Sequence, residues 1–322
     1  MTTYLLRRLL LMVPLLLGVT FLTFAMINLI PGSPFSSLRS NPDFSLADIA
    51  RLETQLGLDK PWPQRYLLWL GDLLRGDLGL SLHNSVPVAD RILAVLPNTL
   101  LLTITSLGVA LLVAIPLGVY AALRHLTWFD NVAQVSAVAL YAMPTFLLAF
   151  LLVYLFALQF NAWGFPSFPV GGMESTRDGG GFWDRARHLV LPTVTLSLIQ
   201  IGGWSAYIRA QMLEVVGQDF VRTARAKGLS SRVVTFGHVF RNAFLPLVTI
   251  VGLALPGLFG GAIVVESIFA WNGMGRLTLE AVDRRDYTLI MGTTLMFAVL
   301  TLVSNLLADL IYAVLDPRVR LD

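Results

Sequence analysis

The chain reads as an all-α polytopic membrane protein with six membrane-crossing helices. Its 322 residues are 56% hydrophobic and only 13% charged, about half the charge of an ordinary soluble domain. Six apolar runs, 9–30, 99–122, 132–158, 189–208, 244–268 and 288–314, each approach or exceed the ~20 residues that cross a hydrocarbon core. The basic residues are dispersed between those runs rather than gathered on one face, so the net charge of +3 is no nucleic-acid signature.

Arg7 and Arg8 precede the first run. A secretory signal has a similar charged start but a shorter apolar core and a small-residue cleavage site. Here Asn28-Leu29-Ile30-Pro31-Gly32 follows, so the run is expected to be a retained first span. Prolines punctuate the spans in two ways. Pro97, Pro192 and Pro246 are expected at helix starts, where a missing N–H costs little. Pro14, Pro116, Pro144 and Pro256 are interior and predict kinks.

The stretch 31–98 is too long and too patterned to be a tether. DIARLETQLGL predicts an amphipathic helix with Ile49, Leu52 and Leu56 inward. KPWPQRYLLWLGDLLRG predicts a second, starting after Pro63, with Tyr66, Leu67, Leu70, Leu73 and Leu74 apolar. Such a pair suits a small structured cap, serving either packing alone or as a lid and a surface for a partner. Loop 123–131 is short, and its lone His125 reads as a surface histidine. Loop 159–188 is glycine-rich and expected to be mobile.

The longest polar stretch of the second half is QMLEVVGQDFVRTARAKGLSSRVVTFGHVFRNAFLP, from Gln211 to Pro246. It carries Arg222, Arg225, Lys227, Arg232 and Arg241 against Glu214 and Asp219. The pattern is helix, break, helix. Phe220, Ala224 and Gly228 fall on one helical face, and Gly228 is a C-terminal stop. Ser230 or Ser231 caps the next helix, where Val233, Phe236 and Phe240 recur on one side. It is either an ordinary solvated loop or a docking element held at the membrane surface.

Further on, Gly257 and Gly261 form a G-x-x-x-G pair beside Pro256, which suggests a helix facing another helix or a pathway. Glu266 and Asp309 are the ionisable candidates within or near spans. For Glu266 the alternative is a place just outside the hydrocarbon, paired with Arg276, Arg284 or Arg285. For Asp309 it is a hydrogen bond within the bundle near the inner end of its span.

Much chemistry is missing. There is no cysteine, and the four histidines (His83, His125, His188 and His238) are not spaced as metal ligands. Neither Lys60 nor Lys227 sits in a phosphate-cradling G-x-x-x-x-G-K-[ST] loop. No nucleophile elbow or H-E-x-x-H appears. No catalytic and no metal residue is expected, and any ATP-driven step belongs to another polypeptide.

With the N-terminus inside, inner segments hold Arg7, Arg8, Arg124, Arg209, Arg222, Arg225, Lys227, Arg232, Arg241, Arg318 and Arg320. The two shorter outer loops hold Arg177, Arg185, Arg187, Arg276, Arg284 and Arg285. Excluding the long first loop, this asymmetry places both termini on the inner side.

The order of residues in YLLRRLL…LIPGSP, QLGLDKPWPQRYLLWLGDLLRGDLGLSL and PVADRILAVLPNTLLLT resembles a known family, as do RTARAKGL…RNAFLP and ESIFAWNGMGRLTLEAVDRRDYTLI. The resemblance is to the first-position permease of the dipeptide, oligopeptide and nickel branch of ATP-binding-cassette (ABC) importers. It covers nearly the whole chain. It implies a type I importer permease fold in the bacterial cytoplasmic (inner) membrane, with both termini cytoplasmic. The organisation would be a first span (1–30), an external helical cap (31–98), a five-span core (99–314) and a short tail (315–322). Within the core, 209–245 would be the cytoplasmic "EAA" coupling loop.

The resemblance further implies that Arg222, Thr223, Ala224, Arg225, Ala226, Lys227 and Gly228 dock on an ATPase subunit. The cations would meet its polar rim, and the small Ala224, Ala226 and Gly228 would allow close approach. Many importers have Glu at the position of Arg222; this departure fits the peptide branch. The implied partners are a second homologous permease, two ABC ATPase subunits that hold ATP and Mg, an external solute-binding protein and the lipid bilayer. The implied cargo is a di- or oligopeptide or a related small solute. The competing classes are an ion-gradient-driven secondary transporter, which usually shows buried mid-span carboxylates and an internal repeat, and a structural membrane protein.

Overall fold

The computed structural model describes residues 2–29, 53–54, 57, 59–175 and 180–315. The expected cap helix with Ile49, Leu52 and Leu56 lies outside the described residues, as do Arg177 and the tail beyond Leu315. The chain begins with α1 (Thr2–Leu29), α2 (Trp62–Leu74), α3 (Val88–Leu123) and α4 (Trp128–Ala142). Next is α5 (Thr145–Leu152), which continues as a π-helical segment, Val153–Gln159, and a last turn, Phe160–Ala162. Then come α6 (Phe182–Val216) and α7 (Asp219–Ala226). A turn, Ser231–Val233, enters a second π-helical segment, Val234–Phe240. The chain ends in α8 (Arg241–Ile268), α9 (Met274–Asp283) and α10 (Tyr287–Leu315).

Among the described residues, six helices are long and apolar enough to cross a membrane: Leu6–Leu29, Val88–Leu123, Thr145–Ala162, Phe182–Val216, Ile250–Ile268 and Tyr287–Ile311. The six expected spans therefore stand, but their limits move. Pro97, Pro192 and Pro246 lie inside α3, α6 and α8 rather than at their starts. The helices outrun the apolar stretches at their N-terminal ends. Hydropathy marks where a helix meets lipid, whereas the helix itself continues into the polar boundary. One missing backbone bond is tolerated there when neighbouring groups satisfy the freed carbonyl.

The expected single span 132–158 is two helices. Met143 (φ −77°, ψ 128°) and Pro144 (φ −58°, ψ 134°) are both extended. The ring of Pro144 disfavours helical geometry at the residue before it. At 15 residues, α4 is about 22 Å long, short of the ~30 Å core. The crossing is made by Thr145–Ala162 instead.

The chain divides into two compact units, one built on 1–97 and 276–302, the other on 98–275 and 303–321. In the first, α2 begins at Trp62, with Pro63 inside its first turn rather than ahead of it. Its one buried residue, Tyr66, packs with Phe24, Ile27 and Met291, while Leu67 and Leu74 are exposed. The Tyr66 hydroxyl donates to the Leu17 carbonyl (3.2 Å) and lies 3.1 Å from Thr20 Oγ1, fastening α2 to α1. Asp286, 1% exposed, accepts from the Ser81 hydroxyl and from the Leu289 N–H.

In the second unit, α6 supplies Trp204, Ile208, Met212 and Val215 to a core that also holds Ala110 and Ala114 of α3 and Ala243 and Leu247 of α8. In lipid there is little hydrophobic drive between helices, so close backbone approach decides which faces meet. A methyl at Gly202 would lie 2.6 Å from the Ala137 carbonyl of α4. A methyl at Gly252 would lie 2.2 Å from Ala308 Cβ of α10. The expected packing pair behaves differently. Gly257 has nothing within 4 Å, and Gly261 makes only an ordinary contact with Leu196. The glycine that packs α8 within this chain is Gly252. The glycine-rich loop makes hydrogen bonds where it is described. Gly172 N–H donates to the Phe269 carbonyl (2.8 Å), and Ser175 N–H and Oγ both donate to Asp184.

Candidate functional site

The polar stretch after α6 folds as a short helix seated on its own unit. Gly217 caps α6, and Asp219 opens α7, a favourable place for an acid because the helix N-terminus carries partial positive charge. The inward residues are Val221 (0% exposed) and Ala224 (6%). They join Met212, Val215, Val234 and Val239 in the core. The expected stripe is split: Ala224 meets the core while Phe220 and Gly228 are exposed. The apolar spacing is i, i+3, Val221 to Ala224, rather than i, i+4 from Phe220. Ala224 is therefore a core residue of this chain.

Gly228 ends α7 as expected. Its φ is +77°, a left-handed value that costs a residue with a Cβ about 1 kcal/mol or more. Gly228 N–H donates to the Arg225 carbonyl (2.9 Å) and Leu229 N–H to the Ala224 carbonyl (3.4 Å), the paired bonds of a Schellman stop. Ser230 takes the extended N-cap position of the next turn without a side-chain cap bond. The expected stripe of Val233, Phe236 and Phe240 is also displaced: Val233 and Phe236 are exposed, and Val234 and Val239 are buried. The segment is π-helical, and its wider turn changes which residues share a face.

What remains outside is a continuous basic and apolar surface. Arg222, Thr223, Arg225, Ala226, Lys227 and Gly228 are all exposed, flanked by Phe220, Leu229 and Phe236. Arg222 reaches Asp219 at 3.7 Å, but both side chains are highly exposed, which makes the pair worth little. Arg225 and Lys227 bond to no acid among the described residues.

A second cluster braces this region, one that sequence reading missed. Asp130, 1% exposed, takes both ends of the Arg209 guanidinium. Nε donates to Oδ1, and Nη2 donates to Oδ2 at 2.7 Å. Leu126 N–H donates to Oδ2 (3.0 Å), and His125 Nδ1 lies 3.3 Å from Oδ2 and 3.1 Å from Arg209 Nη2. His125 is therefore not alone. The Arg209 hydrogen bond, chiefly, holds the Asp130 carboxyl down at about 2; burial opposes it, and Leu126 N–H and His125 add to it. The carboxylate lies near the edge of its unit, screened from water by its own partners. The cluster fixes the loop between α3 and α4 to the end of α6 that leads into α7. Only the pairing of an arginine at the end of one run with an aspartate before another hinted at it.

Glu266 is enclosed. Its carboxylate, 0% exposed, accepts from Thr99 Oγ1 (2.7 Å) and from Gly275 N–H (2.7 Å). Thr99 Oγ1 accepts in turn from Met274 N–H (2.7 Å), and Trp271 Nε1 donates to the Asn98 carbonyl (3.0 Å). The turn Asn272-Gly273 presses on the carboxylate, since a methyl at Gly273 would meet its oxygens at 2.2 and 2.5 Å. In this setting Glu266 orders the turn after α8. Gly273→Ala is expected to cost about 1–3 kcal/mol by overpacking, read as a lower melting temperature in detergent. Glu266→Gln, which sets an amide N–H against a donor, should lose a similar amount. Unchanged melting of both variants would refute the brace. Asp309 is partly buried on α10. Gly257, after Pro256, lies on the open side of α8.

Between α4, α6 and α8 lies a cavity of about 500 Å³, lined by groups that include Tyr141, Gln200, Gly203, Tyr207 and Ile250. Its polar side chains are uncharged. Among the described residues no group of three or more histidine, cysteine or acidic side chains is placed to hold a metal.

The family described as "Binding-protein-dependent transport system inner membrane component" matches residues 114–321, and its N-terminal counterpart matches 1–103. The chain is 40% identical over 321 residues to the oligopeptide transport system permease protein AppB of Bacillus subtilis, covering 99% of this chain and 100% of that one. It is 37% identical to the dipeptide transport system permease protein DppB of Escherichia coli, with 99% of each chain covered. It is 39% identical to a putative peptide permease of Brucella suis, again over 99% of each. Among solved structures, a crystal structure of an amino acid ABC transporter with histidines matches with a TM-score of 0.50 and 14% identity, over 72% of this chain and 95% of that one. That likeness bears on fold alone.

Proposed function

Because this chain belongs to the family of binding-protein-dependent transport system inner-membrane components, we propose that it is the multi-pass permease subunit of an ABC importer for peptides. Relatives of full length are named as oligopeptide and dipeptide permeases, which supports the cargo class. The observation that carries the mechanism is the exposed basic and apolar surface from Phe220 to Leu229, seated on the core through Val221 and Ala224. The chain has no phosphate-cradling motif, so an ATP-driven step places the motor on another polypeptide, and this surface is the place offered for it.

In this reading both termini and residues 209–245 face the cytoplasm. Two ATPase subunits holding ATP and Mg close together, and one draws on α7. The movement passes to α6 and α8 through the inward face of α7, with the Asp130–Arg209 pair keeping the end of α6 rigid. A second, homologous permease completes the pathway. The open side of α8 at Gly257 is the face it would approach, because small residues allow helices to come close. The uncharged cavity beside α6 suits cargo that differs in side-chain charge, with selection left to an external binding protein.

Purification of the tagged full chain from its host in mild detergent tests this. The expected result is co-purification of a second permease and two ATPases, with ATP hydrolysis stimulated by a peptide-loaded binding protein. A chain that emerges alone after crosslinking at Lys227 would overturn the reading.

A further inference from the structure

Within the first unit, a cavity of about 400 Å³ lies among α1, α2 and the start of α10. That volume is in the range of small-molecule pockets. Its apolar floor is made by Phe24 and Ile27, near the C-terminal end of α1, and Met291, in the first turns of α10. Both helices are apolar enough to cross a membrane. The cavity is therefore at the level where a span gives way to the polar boundary.

Its walls carry a net positive charge. Arg65 and Lys60 line it, against the single acid Asp72, whose carboxylate is 3.7 Å from the exposed Arg75. The half-buried Arg65 guanidinium donates to Asn28 Oδ1 (3.0 Å) and lies 5.7 Å from the centre of the Phe24 ring. Neither contact neutralises it, and no carboxylate among the described residues pairs with it. Burial pushes its pKa down, and nearby Tyr287 raises it in part, so an arriving anion would offset that cost. Trp69, also in the wall, has a buried indole N–H with no acceptor among the described residues.

We infer that this cavity binds the phosphodiester headgroup of an anionic membrane phospholipid. Arg65 and Lys60 supply the positive field, and the Trp69 N–H supplies a neutral donor to a phosphate oxygen. The acyl chains run down the apolar flank of α1, where Leu17 and Phe21 are exposed. Basic pockets at the ends of membrane helices take such headgroups, each cation contributing roughly a fivefold gain in affinity. A small free anion would share the phosphate contacts but leave the apolar floor unused.

The test uses the full chain with its co-purifying subunits in nanodiscs of phosphatidylcholine, with and without phosphatidylglycerol. Native mass spectrometry should find phosphatidylglycerol retained by this chain, and the melting temperature should rise with phosphatidylglycerol. Arg65→Ala should cut retention about fivefold, and Arg65→Ala with Lys60→Ala about 25-fold. Trp69→Phe, which keeps the ring and removes the donor, should lower retention with little change in melting in phosphatidylcholine alone. It decides the matter if the Arg65 variants fail to fold. Equal retention by wild type and these variants would overturn the proposal. So would an equal rise in melting temperature with inorganic phosphate or a free dipeptide in phosphatidylcholine, because the source would then be a soluble anion.

Discussion

Arg209→Ala is expected to lower stability by about 1.5–3 kcal/mol, the range for losing hydrogen bonds to a charged group. The loss is asymmetric. Removing Arg209 leaves the Asp130 carboxylate, 1% exposed in the intact chain, with only the Leu126 N–H and His125 beside it until water enters, whereas removing Asp130 leaves a guanidinium that is 18% exposed and able to turn toward water. Asp130→Ala should therefore cost less. Arg209→Lys should fall between wild type and alanine, because an ammonium cannot make both parallel bonds. The sign with pH follows from the depressed carboxyl. Its contribution is full above the unfolded value of about 3.9 and is lost as pH falls through about 2. The gap in melting temperature between wild type and Arg209→Ala should hold from neutral pH to about 5 and close below it. If Arg209→Ala melts with the wild type in detergent at neutral pH, the pair does not brace α6.

Where the sequence was a good guide, the physics was local. Six apolar runs mark six spans because a long apolar helix satisfies its own backbone hydrogen bonds in lipid. Gly228 stops α7 because the Schellman turn needs a left-handed residue there. Where it misled, a competing effect won. Periodicity grouped Phe220 with Ala224 and Phe236 with Phe240, but the core takes Val221, Ala224, Val234 and Val239, and the wider π-helical turns at Val234–Phe240 lengthened the period beyond 3.6. Hydropathy placed Pro97, Pro192 and Pro246 at helix starts because the polar lead-in of each helix is invisible to it. The Asp130–Arg209 pair joins residues 79 apart, and no short pattern announces it. Glu266 stood out as an acid near a span, but its reason for being there is carried by Thr99, on another helix, and by two glycines that a one-dimensional reading treats as mere turn.

The largest effect on activity is expected from reversing the charge of α7. Arg225→Glu with Lys227→Glu should leave folding almost unchanged, since both side chains are exposed and substitutions there usually stay within about 0.5 kcal/mol. Against a partner rim chosen for basic residues, two reversed charges should cost several kcal/mol of association, hence at least about a hundredfold in affinity. Peptide uptake and ATPase co-purification should then fall together while the amount of folded permease holds. Gly228→Val separates contact from fold. A Cβ at Gly228 meets nothing within 4 Å, so the main internal cost is the left-handed backbone, about 1–2 kcal/mol and toward the upper end for a β-branched residue. Any larger loss of association has to come from a partner surface that needs the space. If the charge-reversed chain still brings down its ATPases in wild-type amounts, and Gly228→Val loses no more than its backbone cost, the exposed face of α7 is not where force enters this protein.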